Sequence, residues 1–146
     1  MRFSKVLVPV HGAEVDDEAV RLACQVTKPF QGKVFVLYII EVNRGLPLDA
    51  EVKAETEKAE RVLDHIVRLG REEGMEIEAE LLQAREAGPA VVDEVVERGA
   101  DLVILGQAYK RHFGTFSLRT TASYLLKNVP CRVWICRESI PPRNWG

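Results

Sequence analysis

Five short apolar runs, each separated from the next by a stretch of helical periodicity, constrain this chain most. KVLVPV (Lys5–Val10) is a β-branched run closed by Gly12, and KVFVLYIIEV (Lys33–Val42) is almost continuously apolar, as a strand covered on both faces must be. DLVILG (Asp101–Gly106) and CRVWIC (Cys131–Cys136) repeat that pattern. MEIEAELLQ (Met75–Gln83) instead alternates apolar with charged residues, which predicts an edge strand with one wet face. Between the runs lie four amphipathic stretches. The first opens at Asp16 and Asp17, suited to a helix dipole's positive end, presents Val20, Ala23, Cys24 and Thr27, and is stopped by Pro29. The second runs from Ala50 to about Glu73 with Val52, Ala59, Leu63, Ile66 and Leu69 inward, and Glu57/Arg61 and Asp64/Arg68 pairs outward. The third has Pro89 in its first turn and Gly99 after its end, and the fourth lies within Thr115–Asn128, with Leu118, Ala122, Leu125 and Leu126 as its apolar residues.

The order βαβαβαβαβ predicts an α/β fold, because right-handed crossovers demand a five-stranded parallel sheet with helices on both faces. Ligands of such sheets bind beyond the strand C-termini, where strand order reverses. That places a candidate site after the first strand, at His11 and Gly12, or after the fourth, from Gly106 onward. At 146 residues a single domain is expected. Net charge is −2, so no overall basic field argues for nucleic acid or an acidic membrane. The three cysteines, Cys24, Cys131 and Cys136, lack C-x-x-C spacing and read as buried free thiols of a reducing cytoplasm. His11, His65 and His112 are scattered, so no metal site is expected. No apolar run approaches the ~18 residues of a membrane span.

KVLVPVHGAEVDDEAVRLA at the start, GADLVILG before the fourth strand's loop, and SYLLKNVPCRVWIC near the end resemble the universal stress protein family along nearly the whole chain. The resemblance implies a domain over residues 1–138 with a tail at 139–146. It implies a Rossmann-like sheet of the adenine nucleotide alpha hydrolase type, in order 3-2-1-4-5. It also implies a homodimer formed by antiparallel pairing of the last strand, Arg132 to Cys136. One branch of the family binds ATP through G-x-x-G, nine residues, then G-[ST]. Another branch, like universal stress protein A, lacks that loop.

Glycines in such a loop let backbone N–H groups reach phosphate, and the following helix N-terminus adds positive potential. Here Gly106 matches the first glycine, Tyr109 stands at the second, Arg119 at the third, and Thr120 keeps the hydroxyl. His11 replaces the strand-1 aspartate typical of the nucleotide binders. Arg119 is either a bidentate phosphate grip or a solvent-facing helix residue. Tyr109 either stacks on a base or plugs the cleft. Lys110, Arg111 and His112 form a basic run, either an anion contact or a solvated loop. Gly114–Thr115 offers a displaced glycine–hydroxyl pair ahead of the fourth helix. His11 could hydrogen-bond a ligand or respond to pH, or be structural for want of an acidic partner in view. Ile39 matches a position whose backbone contacts adenine in the nucleotide-binding relatives, so Pro9, Val10 and Ile39 could still hold a base through their main chain.

The chain carries no P-loop, no G-x-G-x-x-G after a strand and no G-x-S-x-G elbow, so no enzyme is expected. The expectation is a cytoplasmic sensor or regulatory homodimer that does not bind ATP in the family's usual mode. AMP or another anionic ligand stays open at the strand 1/strand 4 switch point through Arg119, Lys110 and Thr120. The alternatives are an ATP-binding protein with a rebuilt loop, and a nucleotide-independent module serving an unknown protein partner.

Overall fold

The computed structural model describes residues 1–108, 111–112, 115–116 and 120–139, of which residues 111, 112, 115 and 116 are described by backbone alone. Five parallel strands form the sheet: β1 (Lys5–Val10), β2 (Lys33–Glu41), β3 (Glu78–Ala84), β4 (Leu102–Gln107) and β7 (Arg132–Arg137). Their order is β3-β2-β1-β4-β7, the 3-2-1-4-5 arrangement. Helices α1 (Val15–Thr27) and α2 (Lys53–Glu72) cover one face, and α3 (Ala87–Arg98) and α4 (Thr120–Asn128) cover the other.

The strands form because their residues alternate between two separate cores. Val6, Val8, Val10, Val34, Val36, Leu102 and Ile104 pack against α1 and α2. Leu7, Phe35, Leu37, Val103 and Leu105 pack against α3 and α4. Each of the strands β1, β2 and β4 is thus apolar on both sides, which explains their unbroken runs. Both β3 and β7 are edges, and their residues are half-buried or exposed. The charged alternation of β3 reflects that position, although the strand itself starts at Glu78, not Met75. Ile77 is buried ahead of the strand, in space left by the missing side chain of Gly70.

Other boundaries also move. The second helix begins at Lys53, and on its outer face Glu57 pairs with Lys53 at 4.0 Å in place of the expected Arg61. The fourth helix begins at Thr120, since residues 111–112 (β5) and 115–116 (β6) form a two-rung antiparallel ladder, Arg111↔Phe116 and His112↔Thr115. Thr115 therefore sits in a strand five residues ahead of the helix rather than just before it. Gly114 and Leu118 lie outside the described residues, as does residue 140 onward in the tail. Cys24 is buried, whereas Cys131 and Cys136 are half-buried at the sheet edge, and all three are free thiols.

Candidate functional site

The β1–β2 ladder runs through six residue pairs, from Lys5↔Lys33 to Val10↔Tyr38. The β1–β4 ladder has only Val6↔Leu102 and Leu7↔Val103. Beyond those two rungs the sheet opens, at the point where strand order reverses. A cavity of ≈ 180 Å³ lies there. Its floor is apolar: Pro9 and Val10 from β1, Leu37 and Ile39 from β2, Leu105 from β4, and Val91 and Ala122 from the two covering helices. Its polar groups are His11, Glu41, Gln107 and Thr121, one imidazole, one carboxylate, one amide and one hydroxyl.

The turn after β1 is built around Asp16. Its Oδ2 accepts hydrogen bonds from the backbone N–H groups of His11 (3.0 Å), Gly12 (2.8 Å) and Ala13 (3.1 Å). Gly12 makes that wrap possible with φ +93°, a conformation side chains disfavour. Three convergent N–H groups form the kind of nest that binds anions, and here the chain's own buried carboxylate fills it. His11 Nδ1 lies 3.6 Å from Asp16 Oδ1, close but without a hydrogen bond. An acidic side chain that the sequence left out of view thus lies beside His11. Its Nε2 is shielded from water and without a hydrogen-bond partner among the described residues.

Gly106 is glycine for a reason independent of any phosphate. A Cβ there would lie 3.0 Å from the Val15 carbonyl oxygen and 3.1 Å from Val15 Cγ1. The close approach of α1 to β4 needs the missing side chain. Next to it Gln107 is buried, with Nε2 donating to the Ala108 carbonyl.

Beside the cavity lies a depression of ≈ 460 Å³ lined by Glu86, Ala87, Gly88 and Pro89 at the start of α3, and Thr120, Thr121 and Tyr124 at the start of α4. Glu41, Ala87 and Thr121 line both spaces. Above this junction the β2–α2 loop is held down from β3. Arg85 Nη1 donates to the carbonyls of Asn43 (2.7 Å) and Leu46 (2.8 Å), and Gln83 Nε2 to those of Leu48 (3.0 Å) and Ala50 (2.8 Å).

Of the nine residues singled out by sequence, Pro9, Val10, His11, Ile39 and Gly106 line one cavity, and Thr120 lines the adjoining depression. Tyr109, Lys110 and Arg119 lie outside the described residues. Sequence reasoning missed Asp16 as the turn's organiser, and Glu41, Gln107 and Thr121 as cavity residues. A polar residue ending each apolar strand was the available signal. No group of three or more His, Cys, Asp or Glu side chains among the described residues could hold a metal ion. No described helix is long and apolar enough to cross a membrane.

The family model of the universal stress proteins matches residues 2–137. This chain belongs to the universal stress protein family. A universal stress protein of Methanocaldococcus jannaschii is 25% identical over 142 residues, 93% of this chain and 83% of that one. A solved universal stress protein from Archaeoglobus fulgidus matches with TM-score 0.78 at 18% identity, over 92% of this chain and 98% of that one. The Archaeoglobus fulgidus universal stress protein in complex with dAMP matches with TM-score 0.72 at 19% identity, over 93% and 99% of the two chains. These structures share the fold of this universal stress protein.

Proposed function

We propose that this universal stress protein binds an adenosine monophosphate-class ligand in the β1/β4 cleft and acts as a cytoplasmic regulatory module without catalytic turnover. The observation that carries the reading is the apolar cavity at the switch point, which gathers Pro9, Val10, His11, Ile39 and Gly106. A relative of the same fold has been solved with dAMP. At ≈ 180 Å³ the cavity suits a base-sized fragment, since pockets enclosing whole drug-sized ligands start near ~300 Å³. The sugar and phosphate then lie outside it, towards the first turns of α3 and α4, whose N–H groups favour an anion.

Low ligand charge follows from the surroundings. The nest after β1 is occupied by Asp16, so its amides do not serve a phosphate. Glu41 and Glu86 line the depression, and each added phosphate raises the repulsion. AMP is accordingly favoured over ATP. The cleft's polar set, one each of imidazole, carboxylate, amide and hydroxyl, suits recognition better than nucleophilic catalysis.

Dimerisation through β7 belongs to the same reading. Its inner edge pairs with β4, and among the described residues nothing pairs with its outer edge. Native mass spectrometry of the purified protein, alone and with AMP or ATP added, tests both parts. A dimer that retains AMP and takes up ATP more weakly is expected, and Val133→Lys should shift the mass towards monomer. A protein that retains neither nucleotide refutes the ligand reading.

A second reading, nucleotide-independent protein interaction, is favoured by Leu46 and Leu48. They are 45% and 48% exposed on the loop that Arg85 and Gln83 hold in place. Recovery of the same partner with and without AMP, lost on Leu46→Ser/Leu48→Ser, would establish it.

A further inference from the structure

We propose that Glu41 is the sugar-reading residue of the cleft: its carboxylate accepts the 2′- and 3′-hydroxyl protons of a ribonucleotide and makes the site select ribose over deoxyribose. The inference rests on the adenine-nucleotide reading above and names what that site distinguishes.

Position is the first ground. A nucleotide has three parts in line, and its sugar joins base to phosphate. The cleft also has parts in line: an apolar cavity, and a depression at the starts of α3 and α4. Whatever lines both spaces sits where the sugar must lie. Those residues are Glu41, Ala87 and Thr121. Ala87 offers no side-chain polar atom, and Thr121 offers one hydroxyl. Only a carboxylate has two oxygens able to accept both hydroxyls of a vicinal diol at once.

Availability is the second ground. Among the described residues no cation pairs with Glu41. Arg44 reaches Glu86 at 3.8 Å, and Arg85 donates to the carbonyls of the β2–α2 loop. Lys58 and Glu55 share an outer hollow with Glu41, and neither bonds to it. Among the described residues no hydrogen bond or ion pair engages the Glu41 carboxylate. It is exposed, and it lines the cavity where the cavity meets the depression. Its location at the end of β2, next to β1, is also where dinucleotide-binding folds place the acid that reads a ribose 2′-hydroxyl.

The test is isothermal titration calorimetry with AMP and with 2′-deoxy-AMP, on the native protein and on Glu41→Ala and Glu41→Gln. A hydrogen bond to a charged acceptor predicts that AMP binds about 10- to 100-fold more tightly than 2′-deoxy-AMP. In Glu41→Ala the two should agree within about 3-fold, because 2′-deoxy-AMP never used the full contact. Glu41→Gln, with one acceptor oxygen left, should fall between. Equal affinities on the native protein overturn the assignment and leave the nucleotide reading standing. Discrimination that persists undiminished in Glu41→Ala also overturns it, because another group then reads the diol. Absence of binding by both nucleotides on the native protein overturns this inference and the nucleotide reading together.

Discussion

Replacing Asp16 by alanine should destabilise the protein far more than the same change at its neighbour Asp17. Both acids stand in the first turn of α1, so both gain the same modest benefit from its dipole, about 0.3–1 kcal/mol. Asp17 adds an exposed pair with His65 at 2.9 Å, a contact whose typical contribution is below ~1 kcal/mol. Asp16 is only 1% exposed and binds three backbone N–H groups through one oxygen. Hydrogen bonds to a charged acceptor contribute about 1.5–3 kcal/mol each. Three donors crowding one oxygen share its charge, and the second oxygen has only His11 near it, so the total falls below the simple sum. A loss of about 3–5 kcal/mol is expected for Asp16→Ala, with three turn amides left unpaired. At this chain length that lowers the melting temperature by roughly 6–20 °C. Asp16→Asn keeps an acceptor and loses the charge, and should sit about halfway. Urea denaturation of the three variants and the native protein decides the matter. If Asp16→Ala and Asp17→Ala agree within about 1 kcal/mol, the turn does not depend on the carboxylate, and its role reduces to the helix dipole.

Gly106→Ala should cost about 1–3 kcal/mol in urea denaturation with no ligand present, because the new methyl meets the Val15 carbonyl at 3.0 Å. An unchanged midpoint would show that α1 withdraws freely. Arg85→Ala removes the donor to the Asn43 and Leu46 carbonyls, so trypsin should cut after Arg44 several times faster while the global midpoint moves little. Burial raises the thiol pKa of Cys24, Cys131 and Cys136 above the ordinary range, with Glu73 adding to the effect at Cys24. The folded protein therefore holds those protons after the unfolded chain has released them. Stability should be unaffected by the thiols below about pH 8 and fall as pH rises through the folded values. Urea midpoints at pH 7 and pH 10 should differ more in the native protein than in a triple Cys→Ala variant.

The layered fold was legible because β1, β2 and β4 are apolar on both sides, and a double-sided core leaves unbroken runs in the sequence. Boundaries were less legible where tertiary contacts outbid local pattern. Ala50 carries helical periodicity, yet its carbonyl accepts from Gln83 and the helix waits until Lys53. Met75 and Ile77 continue the alternation of β3, yet Ile77 is spent against Gly70 before the strand begins. Asp16 and Asp17 are indistinguishable as letters. Only the turn made by Gly12 brings three amides to one of them and leaves the other facing α2.

Gly106 shows why the phosphate loop resisted reading from sequence. A glycine at that position matches the first member of a nucleotide-binding set, because backbone amides need an open approach to phosphate. The packing of Val15 against β4 demands the same glycine with no ligand in the cleft. One letter thus answers two constraints, and its presence is evidence for the fold before it is evidence for a ligand. The residues free of that ambiguity are those the sheet does not need. The Glu41 side chain at the end of β2 has no hydrogen bond or ion pair among the described residues and belongs to no core, so packing gives no account of its place at the junction of the two spaces. Ligand identity should therefore be sought at Glu41 first, where a change in affinity can be separated from a change in stability.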